Sequence, residues 1–241
     1  MTSSFDYSVR VKTGAGWREH RRARLLISVG QDYHEGAKLK AVADWINRNP
    51  SLRRVHVSVN DYLQRHNFIA AGLPATRADA VALAAGDGWI ARNAPILAEL
   101  KSAEWQMTRW RDWFDRPGFM ACLAAITDYA NADPAFGEMI ERDAHGLAER
   151  RTRRGEAVPD ITGLVAHSAD YVREELAVFA LQAAELPAAE VYPGSNLASA
   201  AYLVGRDLPE PIRPLASRYF TRIDFARVNL APVAGLKLKI A

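Results

Sequence analysis

Leu25-Leu26-Ile27-Ser28-Val29-Gly30-Gln31-Asp32-Tyr33-His34-Glu35-Gly36 is an apolar run that stops at a serine and a glycine, then passes through a polar turn. Leu25 to Ser28 is short, branched and continuous, as expected of a strand buried on both faces of a parallel sheet. From Glu35 to Arg48 the apolar positions Leu39, Val42, Trp45 and Ile46 recur at helical spacing, and Asn49-Pro50 stops the helix. Val55, Val57 and Val59 alternate in a second strand introduced by Arg53-Arg54. Strand, helix and strand in so short a span read as a right-handed βαβ unit. In such folds the carboxyl ends of the strands carry the chemistry. Ser28 lies at one such end, and Asp61 follows the other.

Working outward, residues 1–20 form a lead-in or an edge strand. Thr76 is expected to cap a helix through Ala84, with Gly86-Asp87-Gly88 as a kink before Trp89–Leu100. A tryptophan-rich segment with Trp105, Trp110 and Trp113 comes next, and helices are expected at Phe119–Ala130 and Pro134–Arg154, the second closed by Gly155. A long helix follows Pro159, from Ile161 to Leu186. Val191-Tyr192-Pro193-Gly194 reads as a strand end, because proline cannot continue the ladder. Ser195 is placed as the cap of a helix Leu197–Val204, Pro209–Pro214 as a loop, and Arg222–Val228 and Leu236–Ile240 as two short strands. No internal repeat interrupts this order. The expectation is one α/β domain over residues 1–241, a Rossmann-like, mostly parallel sheet surrounded by helices.

Composition narrows the class. The chain has 241 residues, 49% hydrophobic and 24% charged, the balance of a water-soluble globular domain. No apolar run reaches the length of a membrane span, and Met1 to Lys12 lacks a signal peptide's hydrophobic middle. Cys122 is the single cysteine, which excludes an intrachain disulfide and fits a reducing cytoplasm. Lysine occurs only at positions 12, 38, 40, 101, 237 and 239, so arginine supplies 25 of the 31 basic residues in a chain of net charge +3. That bias suits phosphate contact and equally suits a base-composition effect.

Several chemistries are set aside by motif. His20, His34, His56, His66, His145 and His167 form no metal-ligand spacing, so no metal is expected. No Walker or dinucleotide glycine motif is present, and the ATP signatures of an aminoacyl-tRNA synthetase are missing, so no cofactor is expected. A serine hydrolase is the rival reading of Ser28. However, its GxSxG elbow would have Leu26 in place of the first glycine, and no histidine follows His167. Tyr171 and Glu175 stand at i, i+4 on one helix face beside Val172, Leu176 and Phe179, where a carboxylate could hold an ammonium and take its proton. Tyr192 ends a late strand at the same sheet edge as Ser28.

Together, Ser28, the Tyr171–Glu175 pair and Tyr192 resemble the cyclodipeptide synthases over residues 20–205. Gln31, three residues beyond the serine, and Pro193, after Tyr192, resemble the XYP branch rather than the NYQ branch of that family. The resemblance implies a fold similar to the catalytic domain of class I tyrosyl- and tryptophanyl-tRNA synthetases without the ATP site. It implies two aminoacyl-tRNA substrates and a 2,5-diketopiperazine product, made through aminoacyl and dipeptidyl esters of Ser28 by a ping-pong route. Ser28, Tyr171, Glu175 and Tyr192 would be the catalytic residues, with Leu26, Gly30, Gln31, Tyr33 and Val178 at the aminoacyl site.

Two features depart from the family pattern. Leu26 replaces a glycine that lines the first aminoacyl pocket in other members, and the Thr76–Leu100 segment holds only Arg77 and Arg92 where many members carry a dense basic row. The tRNA contacts are therefore expected from Arg109, Arg111 and Arg116, or from Arg150, Arg151, Arg153 and Arg154. Alternation puts Arg24, Leu26 and Ser28 on one strand face, so Arg24 would either reach the first aminoacyl side chain and favour an acidic one or sit at the solvent end of the strand. A catalytically silent tRNA-binding module of the same fold is the alternative function. The oligomeric state stays open, with a monomer favoured.

Overall fold

The computed structural model describes residues 6–13, 16, 19–101, 103–153 and 160–228. Among them the chain runs β1 (Asp6–Val11), β2 (Arg22–Ser28), α1 (Gly36–Asn47), β3 (Arg54–Asn60), α2 (Gln64–Ala70), α3 (Ala75–Leu97), β4 (Glu104–Arg109) and α4 (Trp110–Phe114). It continues through α5 (Phe119–Ala132), α6 (Pro134–Arg153), α7 (Ile161–Glu185), β5 (Ala189–Tyr192), α8 (Ala198–Tyr202) and β6 (Tyr219–Val228). The strands form one six-stranded sheet in the order β1-β6-β5-β2-β3-β4. Only the β1–β6 pair is antiparallel.

Each face of the sheet has its own core. Leu25, Ile27, Val55, Val57 and Val59 point toward α1 and α3, where they meet Leu39, Val42, Ile46, Trp89 and Leu97. Leu26 points the other way, into a core built from α4 to α8 around Val172, Leu176 and Phe179 of α7. From β2 the chain builds outward to β3 and β4, then returns across the sheet to place β5 on the other side of β2. The reversal between β2 and β5 is a topological switch point, where the carboxyl ends of parallel strands open a crevice.

Five local expectations are corrected. Gly86-Asp87-Gly88 does not kink the chain: α3 is continuous, with Ala78, Ala82, Gly86, Trp89, Asn93 and Leu97 on its buried stripe. Pro74, not Thr76, occupies its cap position. The tryptophan-rich segment contains a strand, β4, whose alternation is masked because it lies at the sheet edge. Ser195 does not cap α8; Leu197 holds that position, and the Asp143 carboxylate accepts the amides of Ala198 and Ser199 at 2.9 and 2.8 Å. Pro209–Pro214 is largely wound into a 3-10 helix over Glu210–Ser217, led by its prolines. Gly155, Pro159 and the strand expected at Leu236–Ile240 lie outside the described residues.

Candidate active site

β2 ends at Ser28, and Gly30 takes φ +85°, a conformation that favours glycine, to turn the chain into a 3-10 turn over Asp32–His34. The turn is pinned from both sides. Trp89 of α3 donates Nε1–H to the His34 carbonyl at 2.9 Å, and the Ser28 amide donates to His34 Nδ1 at 2.8 Å. His34 is fully buried, and burial drives its pKa down to about 3, so it is neutral with its proton on Nε2. It orients the Ser28 backbone and makes no hydrogen bond to the hydroxyl.

The Ser28 hydroxyl instead meets β5. Its Oγ lies 3.1 Å from the Tyr192 hydroxyl, which lies 3.0 Å from the Tyr33 hydroxyl, so three hydroxyls form a chain along the carboxyl edge. The rings of Tyr33 and Tyr192 meet edge to face, with His34 packed against both. From the opposite wall, α7 supplies Tyr171 and Glu175. The Asn60 amide at the end of β3 donates to the Tyr171 hydroxyl at 3.1 Å. Burial raises the Tyr171 phenol well above 10 and moves the Glu175 carboxyl up to about 8, even though the Arg218 cation pulls the latter down. Tyr171 is buried and Glu175 half-buried, and both face a shared cavity of about 520 Å³. That volume is within the range of small-molecule sites.

Ser28, Tyr171, Glu175, Tyr192, Leu26, Gly30, Gln31 and Tyr33 all border this cavity. Val178 does not: it is fully buried in the core, and its neighbour Phe179 faces the cavity instead. Arg150 and Arg151 of α6 stand at the cavity wall, Arg151 donating to the Asn67 carbonyl at 3.0 Å. Arg153 is exposed beside Glu149, and Arg154 lies outside the described residues. The other expected basic group is elsewhere. Arg109 is bound to Asp61 and Asp87, Arg111 to Asp115, and Arg116 to Glu185.

Arg24 fits neither expectation. It is 1% exposed, paired with Glu190 at 3.0 Å and donating to the carbonyls of Gln182 and Leu186, and it does not border the cavity. Three residues of the site lie beyond the sequence reading: Asn60 and Arg218 border the cavity, and His34 supports the turn after Ser28. Asn60 was legible through register, because it is the β3 partner of Ser28. Asp61, its neighbour, is instead buried against Arg109. His34 and Arg218 carried no sequence signal: one is fixed by a turn and the other by packing against a distant strand.

No protein-family model and no curated protein matches the chain. Among solved structures, the chain is similar to a cyclodipeptide synthase (CDPS) from Fluoribacter dumoffii, with 22% identity, 93% of this chain and 100% of the other covered, and a TM-score of 0.82. A Mycobacterium tuberculosis protein whose structure relates cyclodipeptide synthetases to type I tRNA synthetases shares 19% identity, with 94% and 96% covered and a TM-score of 0.66. A cyclodipeptide synthase from Candidatus Glomeribacter gigasporarum, bound to Phe-tRNAPhe, shares 17% identity, with 91% and 94% covered and a TM-score of 0.64. The fold of this chain is therefore the one those enzymes have, across nearly its whole length.

Proposed function

We propose that this chain is a tRNA-dependent cyclodipeptide synthase of the XYP branch, working through esters of Ser28. One observation carries the reading. The Ser28 hydroxyl, 3.1 Å from Tyr192, opens at the switch point into a cavity whose far wall bears Tyr171 and Glu175. Support also comes from the fold shared with cyclodipeptide synthases, and from Gln31 and Pro193 beside Ser28 and Tyr192. The silent-module alternative gives no reason for a serine hydroxyl hydrogen-bonded inside such a cavity. A hydrolase would need a base on Ser28, and the nearby histidine is spent on the Ser28 amide.

In this reading, Ser28 Oγ attacks the ester carbonyl of the first aminoacyl-tRNA. The tRNA ribose oxygen leaves and recovers a proton, so one ester replaces another. The Tyr192 hydroxyl sits where it can hand that proton along and position the acyl carbonyl. The α-ammonium of the aminoacyl-enzyme lies toward Tyr171 and Glu175. Ionised Glu175 removes its proton, and the free amine attacks the second aminoacyl-tRNA, forming the peptide bond and releasing the second tRNA. Glu175 gives its proton up to solvent and takes one from the new terminal ammonium, and the free amine attacks the ester on Ser28, closing the six-membered ring while one of its protons restores the Ser28 hydroxyl. Arg150 and Arg151, at the cavity wall, are the basic groups best placed to meet the tRNA 3′ end. Burial of the ester limits its loss to water.

Mass spectrometry of cells expressing the protein tests the proposal. A diketopiperazine that appears with the wild type and disappears with Ser28→Ala supports it. Product that persists in that variant overturns the covalent route, and tRNA binding without any product favours the silent module.

A further inference from the structure

Arg218 precedes β6, is 8% exposed, and forms part of the cavity wall. Its Nε donates to Glu190 Oε1 at 2.9 Å, its Nη2 pairs with Glu190 Oε2, and its guanidinium carbon lies 4.1 Å over the centre of the Phe179 ring. Its remaining terminal nitrogen, Nη1, is buried and has no hydrogen-bond partner. Arg24 also holds Glu190, so two guanidinium groups share one carboxylate. Arg24 Nε lacks a partner too, but Arg24 is outside the cavity wall. A buried assembly with a surplus positive charge and an unmet donor is costly unless something completes it. Glu175 does not complete it: it borders the same cavity, but Nη1 makes no hydrogen bond to it.

The surroundings suggest what does. Leu26, Trp110 and Phe179 line the same cavity, Phe179 lies against the Arg218 guanidinium, and the Trp110 indole N–H is already spent on Ser58 at 2.9 Å. A side chain with methylene carbons and a terminal carboxylate matches an apolar sleeve ending in a guanidinium. We infer that Arg218 selects an acidic side chain, glutamyl or aspartyl, on one of the aminoacyl groups. The inference rests on the synthase reading above and adds a substrate class to it. In this geometry Arg218, and not Arg24, is the arginine that meets substrate, while Arg24 and Glu190 hold it in place.

The test uses purified full-length protein and tRNAs charged singly with glutamate, glutamine, aspartate, asparagine, leucine or alanine, supplied alone and in pairs. Intact-mass analysis reads the aminoacyl-enzyme, and chromatography with mass spectrometry reads the cyclodipeptides. The expected result is a cyclodipeptide containing glutamate or aspartate, formed about tenfold or more faster than its glutamine or asparagine counterpart, the loss expected when a charge-assisted hydrogen bond is removed. The separate glutamyl and aspartyl arms show which length fits. Arg218→Met should abolish the preference for acid over amide. If that variant does not fold, the wild-type comparison of acid with amide decides alone. Cyclodipeptides built only from neutral residues overturn the inference and leave the synthase reading standing. No acyl-enzyme and no cyclodipeptide from these six charged tRNAs overturns the inference, and none from a complete set of charged tRNAs overturns the synthase reading as well.

Discussion

At the scale of single residues, the site is defined by which partners each polar group has and which it lacks. His34 spends its only acceptor on the Ser28 amide, so the serine hydroxyl is left to Tyr192. Among the described residues, Tyr192 is the one group hydrogen-bonded to the oxygen that reacts in the proposed chemistry. Tyr192→Phe keeps the ring packed against Tyr33 and His34 but removes that contact. The rate of cyclodipeptide formation should fall about a hundredfold, the range of a lost proton-transfer partner. The urea midpoint of unfolding should move little, because the ring stays. A rate within twofold of wild type would show that the hydroxyl chain is only a packing feature. That Ser28, Tyr171, Glu175 and Tyr192 gather at one cavity was legible in the sequence from strand-end placement, i, i+4 spacing and the family resemblance together. Asn60 follows once β3 is set in register with β2, whereas the roles of His34 and Arg218 arise from contacts between segments that the sequence does not place side by side.

At the scale of elements, α3 shows how a glycine can be misread. Gly86 is a weak helix former, and with Gly88 it suggests a break. In the structure it lies where the Asp61–Arg109 pair crosses the helix. A β-carbon built there would come within 2.8 Å of Arg109 Nη2 and would also collide with the Asp61 carboxylate. Asp61 is fully buried and Arg109 is bound to it at 2.6 Å, so neither can yield cheaply. Gly86→Ala should therefore destabilise the protein by about 1–3 kcal/mol through overpacking, although helix propensity alone predicts a gain of about 1 kcal/mol. Chemical denaturation decides between the two signs. The same difficulty hides the sheet face beneath α7. Arg24, His56, Ser58, Asn60 and Glu190 are all buried there, so strands that read as apolar carry a polar column. That column supports the cavity floor, and only the sheet register reveals it, aligning Arg24 with both His56 and Glu190.

At the scale of the whole molecule, the buried titratable groups set opposing slopes of stability with pH. His34 and His56 ordinarily titrate near 6.5 but are pushed by burial to about 3 and about 4. As pH falls below 6.5, the unfolded chain takes up two protons that the folded chain refuses, so stability is lost toward acid. Glu175 acts in the other direction, because burial raises its carboxyl from 4.5 to about 8. Its contribution is fully present below 4.5 and is lost as pH rises toward 8, since the unfolded chain releases a proton that the folded chain keeps. Below 6.5 the two histidines outweigh the one carboxyl, and above it the carboxyl acts alone, so these three groups place the maximum near pH 6.5. The proposed chemistry needs ionised Glu175, which is the form that the fold disfavours, so peptide formation should still be rising with pH as stability declines toward 8. Glu175→Gln separates the two effects. Its unfolding free energy, measured in urea from pH 5 to 9, should gain on wild type with a slope approaching about 1.4 kcal/mol per pH unit, then level off above 8. Its cyclodipeptide output should be lost at every pH. A stability difference that does not change with pH would mean that Glu175 titrates in the fold as it does in water, and its place as the buried proton acceptor would fall with it.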